Sequence, residues 1–189
     1  MIIDTIIQFI SVLVAILVFG FTYLYAKKRD RHAANREIYQ QLELASNELF
    51  CFEADHLKII RHVWEKKAKL PSKETAEYIQ VINYVCQMLN LFEIAIRFRK
   101  EKIVSPDIFS SWVIWYYTVC NSPHFPEIWE EIRFDYTKDL REIMNMGVKL
   151  NLRKDLDEDQ KREQFFHDVS SLLNCNVVKE WYTQVKKEN

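Results

Sequence analysis

The sequence predicts an all-α protein in which an N-terminal transmembrane helix continues toward a cytosolic bundle of about five helices. Three observations predict it. Residues 6–26 carry no charge, and Lys27, Lys28, Arg29 and Arg31 follow at once. With 2 Gly and 4 Pro in 189 residues, the chain has few places for the tight turns a sheet needs. Apolar side chains recur at helical spacing through most of the remainder. The organisation that follows is an anchor over residues 1–26, a juxtamembrane basic segment and stalk helix over 27–70, and a helical bundle domain over 71–189 packing on the stalk.

At about 1.5 Å per residue, the uncharged stretch spans roughly 31 Å, the thickness of a hydrocarbon core. Gln8, Ser11, Ala15, Gly20 and Thr22 are interruptions that a membrane helix tolerates. A cleaved signal peptide would need a basic start, a shorter apolar run and a small-residue cleavage site. Residues 1–5 hold no basic side chain, and residues 23–26 make a poor cleavage site. Lys and Arg beside a span stay in the cytoplasm, so the expected location is the cell inner membrane, single-pass, N-terminus outside and C-terminal domain cytoplasmic. Tyr23 and Tyr25 then fall at the inner headgroup layer. Lys27, Lys28, Arg29 and Arg31 are the membrane-surface residues and read chiefly as a stop-transfer signal. Asp30 and Glu37 dilute their pull on anionic lipid.

From Phe21 to Leu70 there is neither Gly nor Pro. Ile38, Leu42, Ala45, Leu49 and Phe52, then Ile60 and Val63, form a stripe about 3.5 residues apart, so the helix is expected to run on as a stalk. Pro71 ends it, and Ser72 is a candidate N-cap for the next helix. Residues 73–100 are the most apolar segment after the span. Ile79, Ile82, Val85, Leu89, Phe92 and Ile96 line one side, which predicts a helix central to the bundle. Amides and charges interrupt it at every turn, against a second membrane span. Ser105-Pro106-Asp107 starts a helix, with a serine N-cap and proline at the first helical position. Residues 108–120 are uncharged and carry Trp112, Trp115, Tyr116 and Tyr117, but are too short to cross a bilayer and read as a core helix. A further helix is expected from Pro126 to about Met146, with Gly147 as its left-handed stop. The last helical stretch, residues 157–187, carries Phe166, Val169, Leu173, Val177 and Trp181 on one face and breaks near residues 174–176.

Charge is balanced, with 26 Lys+Arg against 27 Asp+Glu, so no basic field exists to hold DNA nonspecifically. Cys51, Cys86, Cys120 and Cys175 lack any Cys-x-x-Cys spacing and read as buried apolar residues in a reducing compartment. Arg162 and His167 match the Arg-x4–6-His spacing of HEPN ribonucleases, in which histidine is poised for proton transfer. That spacing also arises by chance in a chain with this many arginines and histidines. Glu53 and His56 have the Glu-x-x-His spacing of a metal-binding helix face, but a bundle di-iron site needs a second such motif and two more carboxylates. The strip Asn83, Gln87, Asn90, Glu93 and Arg97 is the most distinctive polar feature. It suits either hydrogen bonds that specify packing or a binding surface, with Glu93 and Arg97 spaced for an ion pair. No Gly-rich phosphate loop or nucleophile motif is present, and nothing calls for a cofactor.

Residues 84–96, read as Tyr-Val-Cys-Gln-Met-Leu-Asn-Leu-Phe-Glu-Ile-Ala-Ile, then Ile103, Asp107 and Trp115, resemble an uncharacterised bacterial family. Its members join one N-terminal span to a short helical cytosolic domain with a Leu-Asn-x-Phe-Glu-x-Ala-like helix and a Trp-containing helix after it. The similarity covers residues 75–147. It implies that architecture and a prokaryotic or phage origin, places shared features at Asn90, Glu93 and Trp115, and implies no activity. The expected function is a membrane-anchored helical module acting through protein–protein contacts, with a regulatory or phage-exclusion role. Its partners would be the lipid bilayer and a protein, which includes a second copy of itself. The alternatives are a membrane-tethered HEPN-like ribonuclease and an oligomeric membrane-disrupting effector, the latter resting on Gln8 and Ser11 as helix-association residues.

Overall fold

A computed structural model describes the backbone of residues 2–188 and the side chains of residues 16–30 and 32–186. Among the described residues the protein is all-helical, with eight α-helices where the sequence predicts about six, the span included. They divide into two compact units, Met1–Gln41 and Leu42–Asn189.

The first unit is the greater part of α1, Ile2–Asp55. Residues 6–15 of the expected span lie outside the described side chains. From residue 16 onward the apolar side chains face outward: Ile16, Leu17, Val18, Phe19, Phe21, Tyr23, Leu24 and Tyr25 are all exposed. Thr22 donates its hydroxyl proton to the Val18 carbonyl at 2.8 Å, which explains how a polar residue sits in this stretch without an unmet donor.

The second unit begins with the C-terminal turns of α1. Leu42 and Leu49 of the predicted stripe are buried there with Ser46 beside them, while Ala45 and Phe52 are half-buried. The helix does not run on to residue 70. It breaks at His56, and α2, Leu57–Trp64, turns Ile59, Ile60 and Val63 inward against α3, Ala76–Lys100. No Gly or Pro marks this break. The tertiary gain of burying three β-branched side chains overrides continuity of the helix. Thr75, not Ser72, caps α3: its hydroxyl oxygen accepts from the Tyr78 amide at 3.2 Å. The Ser72 carbonyl instead accepts from the Thr75 amide and hydroxyl, which closes the turn before the cap.

In α3, Val81, Tyr84, Val85, Met88, Leu89, Phe92, Ala95 and Ile96 are buried, while Ile79 lies exposed in the first turn. Among the described residues α3 is the one helix long and apolar enough to cross a membrane, and half of that apolar stretch is buried within the protein. The central place goes to α4, Pro106–Cys120, and not to α3. It packs against α3, α5, α6, α7 and α8, where α3 packs against α2, α4 and α6. The shorter helix, uncharged after Asp107, buries apolar side chains toward several neighbours, whereas α3 keeps one strip for water.

The single helix expected over 126–146 is two: α5, Phe125–Ile132, and α6, Lys138–Asn151, joined by a 3₁₀ turn over Arg133–Asp135. Gly147 does not stop α6; it lies inside it. A Cβ at Gly147 would come within 2.4 Å of Cys120 Sγ and 2.6 Å of Cys120 Cβ. The glycine is needed for the close approach of α4 and α6, and not for backbone freedom. Helix α7, Glu158–Leu172, opens with a capping box in which Asp157 and Gln160 satisfy each other's backbone amides. The expected break follows, and α8 is Asn176–Glu188. It shifts the buried face by one residue, to Val178 and Tyr182 in place of Val177 and Trp181.

The two stops that a glycine would usually make are made by Lys102 (φ 60°) and Asn174 (φ 48°). At each, the amide of the following residue reaches back six residues inclusive, Ile103 to Phe98 at 2.8 Å and Cys175 to Ser170 at 2.9 Å, the pattern of a Schellman cap. Of the cysteines, Cys120 and Cys175 are buried as expected, Cys86 is half-buried, and Cys51 is exposed because it falls on the outer face of α1.

Candidate functional site

The polar strip of α3 is a solvent face, and the structure splits it between two grooves. Asn83, Gln87, Asn90 and Arg97 are exposed, and Glu93 is half-buried. Gln87 and Asn90 line an open groove of about 440 Å³ against Ala45, Glu48, Leu49 and Phe52 of α1. Their amides make no hydrogen bond within the described residues, so they can engage a partner without breaking one. Glu93 and Arg97 lie instead on a groove of about 340 Å³ with Lys100, Glu101, Thr137 and Asp139.

The expected Glu93–Arg97 pair does not form. Arg97 Nε binds Glu101 Oε1 at 3.0 Å, one turn on, and Glu93 Oε1 accepts from the Thr137 backbone amide at 2.6 Å. Thr137 is the N-cap residue of α6, so Glu93 supplies a carboxylate where unpaired amides and the helix dipole both favour one. Lys100 Nζ to Asp139 Oδ2 at 2.6 Å makes a second tie between the same helices. This end of the strip is structural: it fastens α6 to α3.

Glu53 and His56 are each engaged with other residues. Glu53 accepts a short hydrogen bond from the buried Tyr84 hydroxyl, which in turn accepts from Trp64 Nε1 at 3.1 Å. This network ties α1, α2 and α3 together. Burial first, then the Glu53 carboxylate, hold the Tyr84 hydroxyl far above the ordinary tyrosine range. His56 stacks on Phe52 with ring centroids 4.1 Å apart, and its Nδ1 bonds the Phe52 carbonyl at 3.0 Å. No cluster of three or more His, Cys, Asp or Glu suited to a metal occurs among the described residues.

Arg162 and His167 sit on α7 five residues apart, which sets them about 140° apart around the helix. Arg162 turns in over the Tyr117 ring, its guanidinium carbon 5.6 Å from the centroid, and its buried Nε has no hydrogen-bond partner among the described residues. His167 faces solvent in an open groove with Leu156, Gln160, Glu163, Gln164 and Lys179, its Nδ1 3.4 Å from Asp168 Oδ1. A general base and an electrostatic stabiliser must address one reacting atom. These two side chains address opposite environments.

Lys27, Lys28 and Arg29 are exposed, with Arg29 3.7 Å from Asp30; the Arg31 side chain lies outside the described residues. The feature that pattern reading passes over is aromatic. Trp112 and Trp115, assigned to the core by their uncharged stretch, are only half-buried; Trp115 meets Phe50 at the surface, and Trp112 packs on Trp115. Their spacing on α4 was visible; that α1 would leave a gap beside them was not. Comparison with protein families, with curated proteins and with solved structures finds no match for this chain.

Proposed function

We propose that this protein is a single-span membrane protein whose helical unit acts by contact with a partner and not by catalysis. The observation that carries the tether is the row of eight exposed apolar and aromatic side chains from Ile16 to Tyr25. Each large apolar side chain left in water forgoes about 1.5–3 kcal/mol, so a run of this length on one helix calls for an apolar surround. Lys27, Lys28 and Arg29 at its end favour an inner-membrane orientation with the C-terminal unit in the cytoplasm. The contact surface favoured on that unit is the groove holding Gln87 and Asn90, whose amides are uncommitted. A regulatory or phage-exclusion role, and the likeness of residues 75–147 to a bacterial single-span family, belong to the same reading.

Washing membranes with alkaline carbonate tests the tether. The full chain stays in the pellet, and its recovery in the supernatant overturns the reading. A phosphatase fused to the C-terminus stays inactive if the orientation holds. For the contact role, Asn90→Arg abolishes the cellular effect of the chain while His167→Ala leaves it intact. The reverse result restores the ribonuclease reading.

A further inference from the structure

Residues 57–69 carry Lys58, Arg61, Lys66, Lys67 and Lys69 against one acid, Glu65. The rest of the second unit is acidic, with 16 Lys+Arg against 23 Asp+Glu, so the positive charge is a local feature. Packing holds it at the surface. Helix α2 turns Ile59, Ile60 and Val63 inward, which leaves Leu57, Lys58 and Arg61 exposed on its outer face. The loop after α2 is pinned at its centre. Ala68 is buried, its carbonyl accepts from His124 Nε2 at 2.5 Å, and the Lys69 carbonyl accepts from His62 Nδ1 at 2.6 Å. With Ala68 held inward, Lys66, Lys67 and Lys69 are left in water.

The charges at the edges of this surface are already paired. Arg61 Nε lies 3.6 Å from Glu65, and Lys73 Nζ lies 2.5 Å from Glu131. Lys58, Lys66, Lys67 and Lys69 make no ion pair among the described residues, and four uncommitted lysines on a fixed surface call for an anionic partner. A nucleic acid would add base stacking, but the run has no exposed aromatic ring: Trp64 is half-buried and donates its Nε1 proton to Tyr84. It has instead Leu57, 69% exposed, next to Lys58. An apolar side chain among cations on an amphipathic helix suits a bilayer surface, where it enters the acyl boundary while the amines meet phosphate and carboxylate.

We propose that α2 and the loop after it dock on anionic lipid headgroups, with Lys58, Lys66, Lys67 and Lys69 on the headgroup charges and Leu57 inserted beneath them. The inference rests on the tether, which confines the second unit to the vicinity of a bilayer. It adds a charge-dependent attachment made by the folded unit itself.

The test places the full chain in nanodiscs of phosphatidylcholine alone and of phosphatidylcholine with about 30% phosphatidylserine. A third sample adds a single-stranded oligouridine to the neutral discs. Lysines are acetylated with an uncharged reagent, and the rate at each is read by mass spectrometry. Lys58, Lys66, Lys67 and Lys69 react at least about threefold more slowly in the anionic discs, and about 0.5 M salt removes the difference. Lys149 and Lys179, outside the surface, react alike in both discs. Lys66→Gln, Lys67→Gln and Lys69→Gln together restore the Lys58 rate at an unchanged melting temperature. Equal rates at the four lysines in both discs, slowing spread over all lysines, slowing that survives salt, or slowing by oligouridine and not by phosphatidylserine overturns the proposal. A chain that enters neither disc overturns the tether, and the docking falls with it.

Discussion

Two apolar stretches of this protein have opposite surroundings. Residues 16–25 of α1 present Ile16, Leu17, Val18, Phe19, Phe21 and Leu24 to the outside. Residues 81–96 of α3 turn Val81, Val85, Met88, Leu89, Phe92 and Ile96 into the protein, none more than 2% exposed. By length and hydropathy α3 is a membrane candidate too, yet its apolar side chains already have partners. The difference lies in the polar residues. Asn83, Gln87, Asn90, Glu93 and Arg97 keep one strip of α3 wet, so one side faces water while the rest packs. The corresponding stretch of α1 has no such strip. Hydrophobicity sets how much surface must leave water, and the distribution of polar residues sets whether protein or another apolar medium receives it.

That comparison is sharpest under matched insertion of a charge. Phe92→Asp places a carboxylate between Trp115 and Tyr116 and costs about 4 kcal/mol or more, enough to abolish the folded second unit in a thermal melt. Ile16→Asp leaves that melt unchanged and lowers membrane retention, by about 2.5–3.5 kcal/mol at a helix centre. If Ile16→Asp instead unfolds the protein, the exposed stretch of α1 is part of a core and the contrast fails.

Gly147→Ala follows in size. The added methyl meets Cys120 at 2.4 Å and pushes α6 from α4, costing about 1–3 kcal/mol in denaturant unfolding. Cys120→Ala in the same chain recovers only part of this, because the Cys120 Cβ itself stands 2.6 Å away.

The buried helices also carry a pH signature. Tyr84, Tyr116 and Tyr136 have hydroxyls raised above the ordinary range, in each case by burial first. Their folded values exceed their unfolded ones, so stability is fully present below the unfolded value near 10 and is lost as pH rises above it. Denaturant titrations at intervals from pH 8 to pH 12 should therefore show a flat region and then a decline. Tyr84→Phe makes the decline shallower, and at neutral pH costs about 1–3 kcal/mol by depriving Trp64 Nε1 of its acceptor and Glu53 of its donor. The smallest effect has the opposite sign. Lys102→Gly relieves the left-handed residue that ends α3 and raises stability by about 0.5–1 kcal/mol, read as a higher denaturant midpoint.

Much of the candidate surface was legible as a pattern and misread in detail. The strip on α3 was visible because amides and charges recur at helical spacing. Its Glu93–Arg97 pair was not realised, because Glu93 had a better use at an amide of α6 that lies 44 residues away in sequence. Arg162 and His167 satisfied a spacing, yet spacing alone does not say that one turns inward to Tyr117 and the other outward to Asp168. The groove around Trp115 was invisible for a related reason: its walls come from two helices, and only packing leaves the space between them.

The amino-acid order alone determined the helical class, the uncharged stretch and its basic flank, the start of α4 at Ser105-Pro106 and the break near Asn174, since each follows from local sterics, local charge or short-range periodicity. Tertiary structure decided the break at His56, the division of residues 125–151 into two helices, the central position of α4 and the use of Gly147 for a close approach. Those outcomes depend on which distant side chains share a volume, and a one-dimensional pattern carries no record of that volume.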